Sequence, residues 1–287
     1  MSDAPEETRL LTMPWGGSFE VQVVRARRPC GRPPLILVPG IGGPRGTFHH
    51  QVRAFAETRD VVATNLNPAQ APGVEPIDSS GRDVLGILDA LAIERADLLG
   101  ASFGSCVVAH TAASAPARVR RQVWVAPPVV HHGPWRAAFG PGWLLGGALM
   151  KFAPERARGE VARLLAERRV YSVEPDLSHE ELLLLAGRVN DTELGPFFRR
   201  LAGLRDWDWR RLAAPASRPA LVVQGERERA VTPPDVATAW ARLSGRPVAI
   251  VPGTHMPYLS FPHEFNAAIE AFLSAPEGTA QFSERMQ

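Results

Sequence analysis

The sequence predicts an α/β fold with a mostly parallel central sheet, helices on both faces and a helical insertion, and three observations carry that reading. Short apolar runs alternate with stretches of helical periodicity over residues 35–126; the alternation stops between 129 and 213; and it resumes from 220 to 273. Strand and helix repeated in this order favour parallel strands joined by crossover helices, because each apolar face of a sheet must be covered.

Taken in chain order, residues 19–24 (FEVQVV) alternate large apolar and polar side chains, as a half-exposed strand does. Residues 35–38 (LILV) are apolar without a break and fit a strand buried on both faces. Residues 51–57 are expected to be helical, 61–63 to form a short strand, and 83–91 (DVLGILDAL) to form a helix, with apolar residues three and four apart. Residues 96–99 and 123–126 (VWVA) read as further strands, and the small residues of 107–113 suit a helix packed close to the sheet. In the insertion, 160–167 and 180–186 have helical character while Pro134, Pro141, Pro154 and Pro175 interrupt it. After it come a strand at 220–223 (ALVV), a helix at 236–243, a strand at 248–251 and a closing helix at 264–273. The residues before 19 and the tail 274–287 read as loosely ordered. This partition gives a core domain of residues 1–128 and 214–287 around a cap at 129–213.

Bulk properties exclude several classes of function. Of 287 residues 45% are hydrophobic and 22% charged, enough for a sizeable core and against global disorder. Arginines such as Arg25, Arg53, Arg120 and Arg210 are interleaved with acids, for a net charge of only +2, which argues against a nucleic-acid partner. Cys30 and Cys106 are the only cysteines and stand far apart, so reduced thiols are expected rather than a disulfide framework or a cysteine metal site. The acidic, polar start has no signal-peptide pattern, and no apolar run reaches the roughly 18 residues that span a bilayer; a cytoplasmic protein without a membrane partner is expected. With no close cluster of histidine and carboxylate in the sequence, neither metal nor cofactor is expected. Residues 65–76, rich in proline, read as a surface loop near the pocket and not as a phosphate cradle.

The strongest local signal is Gly100-Ala101-Ser102-Phe103-Gly104, directly after the apolar Leu98-Leu99 and directly before a helical stretch. The bare G-x-S-x-G pattern arises easily by accident, and its place between strand and helix is what makes it specific. A serine on such a tight turn is lifted clear of the sheet, and glycines two residues to either side let neighbouring backbone approach. The bland alternative is a glycine-rich turn with an incidental serine. A serine hydroxyl becomes a useful nucleophile only when a base takes its proton, so a later histidine is required. His255 fits, in the loop Pro252-Gly253-Thr254-His255-Met256-Pro257 after a strand. His49 and His50 are placed to border the pocket, His110 lies in the helix after Ser102, His131 and His132 open the insertion, and His179 and His263 read as surface or cap positions.

An orienting carboxylate must follow. Gln224-Gly225-Glu226-Arg227-Glu228-Arg229 offers two glutamates; Glu228 is favoured, Glu226 is open, and either can equally be a solvated partner of a neighbouring arginine. Asp235 reads instead as the start of a helix. Charge developing on a substrate oxygen needs preorganised N–H donors, for which the Phe103 amide and the Ile41 amide, in the turn Pro39-Gly40-Ile41-Gly42-Gly43, are the candidates. Gly40, Gly42 and Met256, with Trp135, Phe139 and Trp143 of the insertion, are the candidate substrate contacts.

The stretches LILVPGIGG, LLGASFGS, ALVVQGERERAVTPP and VPGTHMPYLSFPHEFNAAIEAFL together resemble the α/β-hydrolase superfamily over nearly the whole chain. The resemblance implies the order nucleophile, acid, histidine, with Glu228 in the matching acid position, and a cap lining the pocket where 129–213 stands. Two departures are visible: Pro39-Gly40 where His-Gly is common, and Glu228 where aspartate is common. Ser102, Glu228 and His255 with the two donors point to a serine hydrolase acting on an ester or thioester, or to another acyl transfer, and the apolar and aromatic residues of the insertion suggest a moderately hydrophobic small-molecule substrate; a monomer or homodimer is expected. Carbon–carbon bond hydrolysis and cofactor-free perhydrolysis are the alternatives on the same fold, and a non-catalytic, maspardin-like binding protein the alternative of another class. Epoxide and halide displacement resemble cases with an aspartate nucleophile, against which Ser102 counts.

Overall fold

The apolar runs at 35–38, 61–63 and 220–223 become strands buried on both faces, and the period of two sorts their side chains between two cores. In the computed structural model, which describes residues 6–42, 45–71, 73–128, 175–178, 181, 194–207, 218–229, 231–245 and 248–276, the strands are β1 (Glu6–Thr12), β2 (Ser18–Val24), β3 (Leu35–Val38), β4 (Val61–Thr64), β5 (Ala96–Ala101), β6 (Val119–Val125), β7 (Ala220–Gly225) and β8 (Ala249–Val251). Ile36, Val38, Val62, Leu98 and Val222 point into one core; Leu35, Leu37, Val61, Ala63, Leu99 and Leu221 point into the other. The first is covered by α2 (Pro76–Ala90), α3 (Phe103–Ser114), α4 (Leu194–Asp206) and α5 (Pro234–Ser244), and the second by α1 (His49–Phe55), the short α6 (Pro257–Ser260) and α7 (Pro262–Ser274).

The strand order is β1-β2-β4-β3-β5-β6-β7-β8, with β1, β2 and β4 paired antiparallel and β4 through β8 parallel. From β3 the chain steps outward to β4, then returns across the sheet to β5 and continues the other way. That reversal leaves a crevice beyond the C-terminal ends of β3 and β5, the place where open parallel sheets bind ligands. The turns carrying Ile41 and Ser102 leave from those two ends.

The sequence reading takes the first residues as loosely ordered, and the structure corrects it. Glu6–Thr12 is an edge strand paired with β2 from Glu6↔Val24 to Thr12↔Ser18, joined through Gly16 and Gly17 at positive φ. Its sequence is polar and its residues are mostly exposed, so its order comes from the ladder and not from a buried face. Helix α2 starts at Pro76, seven residues ahead of the predicted helix, because the proline sits at the first helical position, where a missing N–H costs nothing. Both cysteines are free thiols, as expected, and no helix among the described residues is long and apolar enough to cross a membrane.

Asp83 of α2 is buried and accepts hydrogen bonds from Trp15 Nε1 (3.0 Å) and Asn67 Nδ2 (3.1 Å). Burial pushes its carboxyl up to about 6, against the opposing pull of those bonds and of the Arg200 charge. A carboxyl raised in the folded state binds its proton more tightly there than in the unfolded chain, so its favourable contribution is complete below the unfolded value and is lost as pH rises through about 6. Asp83→Asn is therefore expected to raise the thermal midpoint at pH 8 and to lose that advantage near pH 4, as paired thermal melts would register.

Candidate active site

The elbow at Ser102 is built from close backbone contacts. Ser102 has φ 51° and ψ −117°, a conformation that costs a non-glycine residue roughly 1–3 kcal/mol. Its N–H donates to Val125 O (2.8 Å), tying the turn to the end of β6. A Cβ on Gly100 would meet Gly104 O at 2.1 Å, and one on Gly104 would meet Val38 O at 2.2 Å. Only glycine lets α3 begin this close to β3 and β5. Ser102 makes no side-chain cap bond to α3, so its hydroxyl is not committed to closing the helix. The turn after β3 lies alongside, since a Cβ on Gly40 would come within 3.6 Å of Ser102 Cβ.

The acid and the histidine come from the two loops at the far end of the sheet. Gly225 closes β7 where a Cβ would meet Thr254 O at 2.1 Å, which presses the two loops together. Nδ1 of His255 then lies 3.2 Å from Oε2 of Glu228, whose side chain is wholly buried. The other oxygen, Oε1, accepts N–H bonds from Val231 (2.7 Å) and Thr232 (3.2 Å). Burial by itself would raise the Glu228 carboxyl; the His255 imidazole beside it and the two backbone donors outweigh it and hold it below the usual carboxylate range. Glu226, by contrast, is exposed and lies 3.7 Å from Arg227. Ser102, Glu228 and His255 thus stand at the C-terminal ends of β5, β7 and β8 of one sheet, with the carboxylate and the imidazole 3.2 Å apart.

Sequence reasoning misses two residues that brace these loops. Ser105 is fully buried, and its Oγ lies 2.8 Å from Gly100 O and 3.0 Å from Val125 O, holding both sides of the elbow. Thr232, also fully buried, donates its hydroxyl to Ala126 O (2.9 Å), while its carbonyl accepts from Gln224 Nε2 (2.5 Å). A small hydroxyl residue directly after the G-x-S-x-G and another shortly after the two glutamates are the hints the sequence offers. Phe103 is buried at the start of α3 and Ile41 is half-buried in the facing turn. Met256 is half-buried against the second core. Trp135, Phe139 and Trp143 lie outside the described residues.

The expectation that histidine and carboxylate do not cluster is corrected. His49, His50 and Glu181 bring one potential ligand atom each within 4.8 Å of one another, with His50 Nε2 3.2 Å from Glu181 Oε1. These residues are 131 positions apart, so only folding brings them together. The two imidazoles are tilted by 41° to one another, with centroids 3.9 Å apart. The contact joins α1 to the 129–213 segment, as Arg227 with Asp176 (2.6 Å) joins the acid loop to it.

Comparison with known proteins bears on the fold. A family model described as alpha/beta hydrolase fold matches residues 33–262. The dihydrolipoyllysine-residue acetyltransferase component of the acetoin cleaving system from Pseudomonas putida is 37% identical over 93 residues, 31% of this chain, and the chain spans only 25% of that curated relative. Among solved structures, a hydrolase from Pseudomonas aeruginosa PA01 superposes with a TM-score of 0.76 at 25% identity, covering 94% of this chain and 99% of that one. The enol-lactonase from Burkholderia xenovorans LB400 follows at 0.75 and 18% identity, covering 93% and 100%, a likeness of fold alone.

Proposed function

The chain belongs to the alpha/beta hydrolase fold family, and from that premise we propose that it is a serine hydrolase cleaving an ester or thioester of a moderately hydrophobic small molecule. The observation that carries this reading is the buried Glu228 carboxylate, which has one oxygen taken by two backbone donors and the other set against His255 Nδ1. A carboxylate so held orients the imidazole, fixes its Nδ1–H tautomer and stabilises the imidazolium that forms when Nε2 takes a proton. Ser102 Oγ gives up that proton as it attacks the acyl carbon, and the carbonyl oxygen gathers charge facing the Ile41 and Phe103 amides. Collapse of the tetrahedral intermediate sends the proton from His255 to the leaving group. Water, deprotonated by the same histidine, then releases the acid from Ser102.

In this reading residues 129–213 form the cap, and its described part meets the core at the site. Helix α4 lies on the turn of Gly42, and Asp176 pairs with Arg227 of the acid loop. Gly40, Gly42 and Met256 face the acyl group, with Trp135, Phe139 and Trp143 as cap contacts. The enzyme works in the cytoplasm as a monomer or homodimer, without metal or cofactor. A fluorophosphonate probe is expected to label the wild type once per chain and to leave Ser102→Ala unlabelled. Equal labelling of the two would defeat the proposal.

A further inference from the structure

Arg200 stands out among the buried charges near the site, because the proposed mechanism gives it nothing to do. It lies in α4, 7% exposed, and spreads its guanidinium between two loops of the core: Nη1 donates to Ile41 O (3.3 Å) and Nη2 to Asn67 O (2.7 Å). A planar fork suits two acceptors in different directions, as a single ammonium does not. One turn earlier on the same face, the Phe197 ring packs at 3.4 Å from where a Cβ on Gly42 would stand. One turn later, Gly203 lets α4 settle on Pro76, where a Cβ would meet the proline ring at 2.6 Å, and Leu204 enters the first core. The face of α4 formed by 197, 200, 203 and 204 is therefore seated on the core at several points.

The turn that α4 covers needs such support. Pro39-Gly40-Ile41-Gly42 has glycine on either side of Ile41, and glycine-flanked peptides rotate at little steric cost. If Ile41 rotates, its N–H no longer faces the reacting oxygen, and the preorganisation that makes a backbone donor effective is gone. Anchoring the Ile41 carbonyl from one side and packing an aromatic ring at Gly42 from the other restrains the peptide that follows the donor. The anchor is itself held, since Asn67, whose carbonyl takes the second arm of Arg200, is bound through its side chain to Asp83, which also accepts from Trp15.

Resting on the serine-hydrolase reading, we infer that Arg200 is a positioning residue of the oxyanion hole, through which the cap helix α4 holds the Ile41 amide aimed at the substrate oxygen. Such a role acts on the transition state and not on ground-state binding, so it separates kcat from KM.

The test uses a p-nitrophenyl acyl ester with wild type, Arg200→Gln, Arg200→Lys, Phe197→Ala and Ser102→Ala, each with a thermal melt. Arg200→Gln is expected to lower kcat by about 10- to 100-fold, short of the 10²–10³ that follows outright loss of a donor, with KM changed less than about threefold. Arg200→Lys should recover part of the loss, and Phe197→Ala should lower kcat several-fold. The rate of fluorophosphonate labelling should fall in step with kcat while its final extent stays at one per chain. Folded Arg200→Gln with wild-type kcat overturns the inference. If that variant does not fold, wild-type kcat in both Phe197→Ala and Arg200→Lys overturns it. Failure of the underlying reading looks different, since the wild type would then label no better than Ser102→Ala.

Discussion

Replacing His255 by alanine should lower ester hydrolysis on the order of 10⁴- to 10⁶-fold with little change in the thermal midpoint. The side chain is 12% exposed at the mouth of a loop, so its removal opens little core, while the proposed nucleophile loses its base. Glu228→Gln is the sharper variant. Because Oε1 is held by Val231 and Thr232 N–H, the glutamine keeps its oxygen there and turns its amide nitrogen toward His255. That nitrogen donates, which makes Nδ1 the acceptor and moves the imidazole proton to Nε2, where it blocks proton transfer from Ser102. A loss of about 10⁴ in kcat is expected, the magnitude of a wrong tautomer in an otherwise intact triad. Steady-state kinetics on the two variants decides the matter, and full activity in Glu228→Gln would show that the orienting acid lies elsewhere. The depressed Glu228 carboxyl also contributes to stability above its unfolded pKa, a contribution lost as pH falls through the folded value.

The largest loss of stability is expected from Asp97→Asn, at the opposite end of β5 from Ser102. Arg59 and Asp97 are both wholly buried, with Nη1 2.8 Å from Oδ2, and Arg120 closes on the same carboxylate through Nε (2.8 Å) and Nη2 (2.5 Å). Arg120 and Arg121 also donate to the carbonyls of Leu273 and Phe272, at the C-terminal end of α7, where cations are favoured. Removing the carboxylate leaves two guanidinium groups facing each other in the core, with Glu270 3.8 Å from Arg59 as the remaining anion. Breaking a buried pair from one side typically costs about 3–5 kcal/mol. For a chain of this size that lowers the midpoint by on the order of 10 °C. Because the network is remote from the reacting end of the sheet, kcat at low temperature should hold. Adding Arg59→Met to Asp97→Asn should return part of the lost stability; a midpoint unchanged by Asp97→Asn alone would show the network to be energetically idle.

How much of this is legible in the chain follows from how far apart the deciding contacts are. Strands such as LILV and ALVV are readable because burial on both faces demands apolar residues at every position, a constraint complete within four residues. The elbow is readable for the same reason: a strained serine between glycines is a local requirement of the strand-to-helix turn. Edge strand β1 escapes, since ladder hydrogen bonds to β2 place few demands on its side chains. The sequence favours Glu228 over Glu226, but the contact that distinguishes them is beyond local reading, because both follow the same strand and only folding sets Glu228 beside His255 while Glu226 stays exposed.

By itself, then, the sequence determined the parallel α/β architecture, the strand-to-helix turn at Ser102 and the order in which the candidate site residues arrive. Tertiary structure alone decided that Glu228 is the carboxylate beside His255, that Glu6–Thr12 joins the sheet, and that Arg200 reaches the Ile41 turn. The division has a physical cause. Periodicity and turn chemistry are settled by backbone sterics and burial within a few neighbouring residues, whereas the pairing of side chains on separate loops is set by strand order and helix seating, which no single stretch of the chain contains.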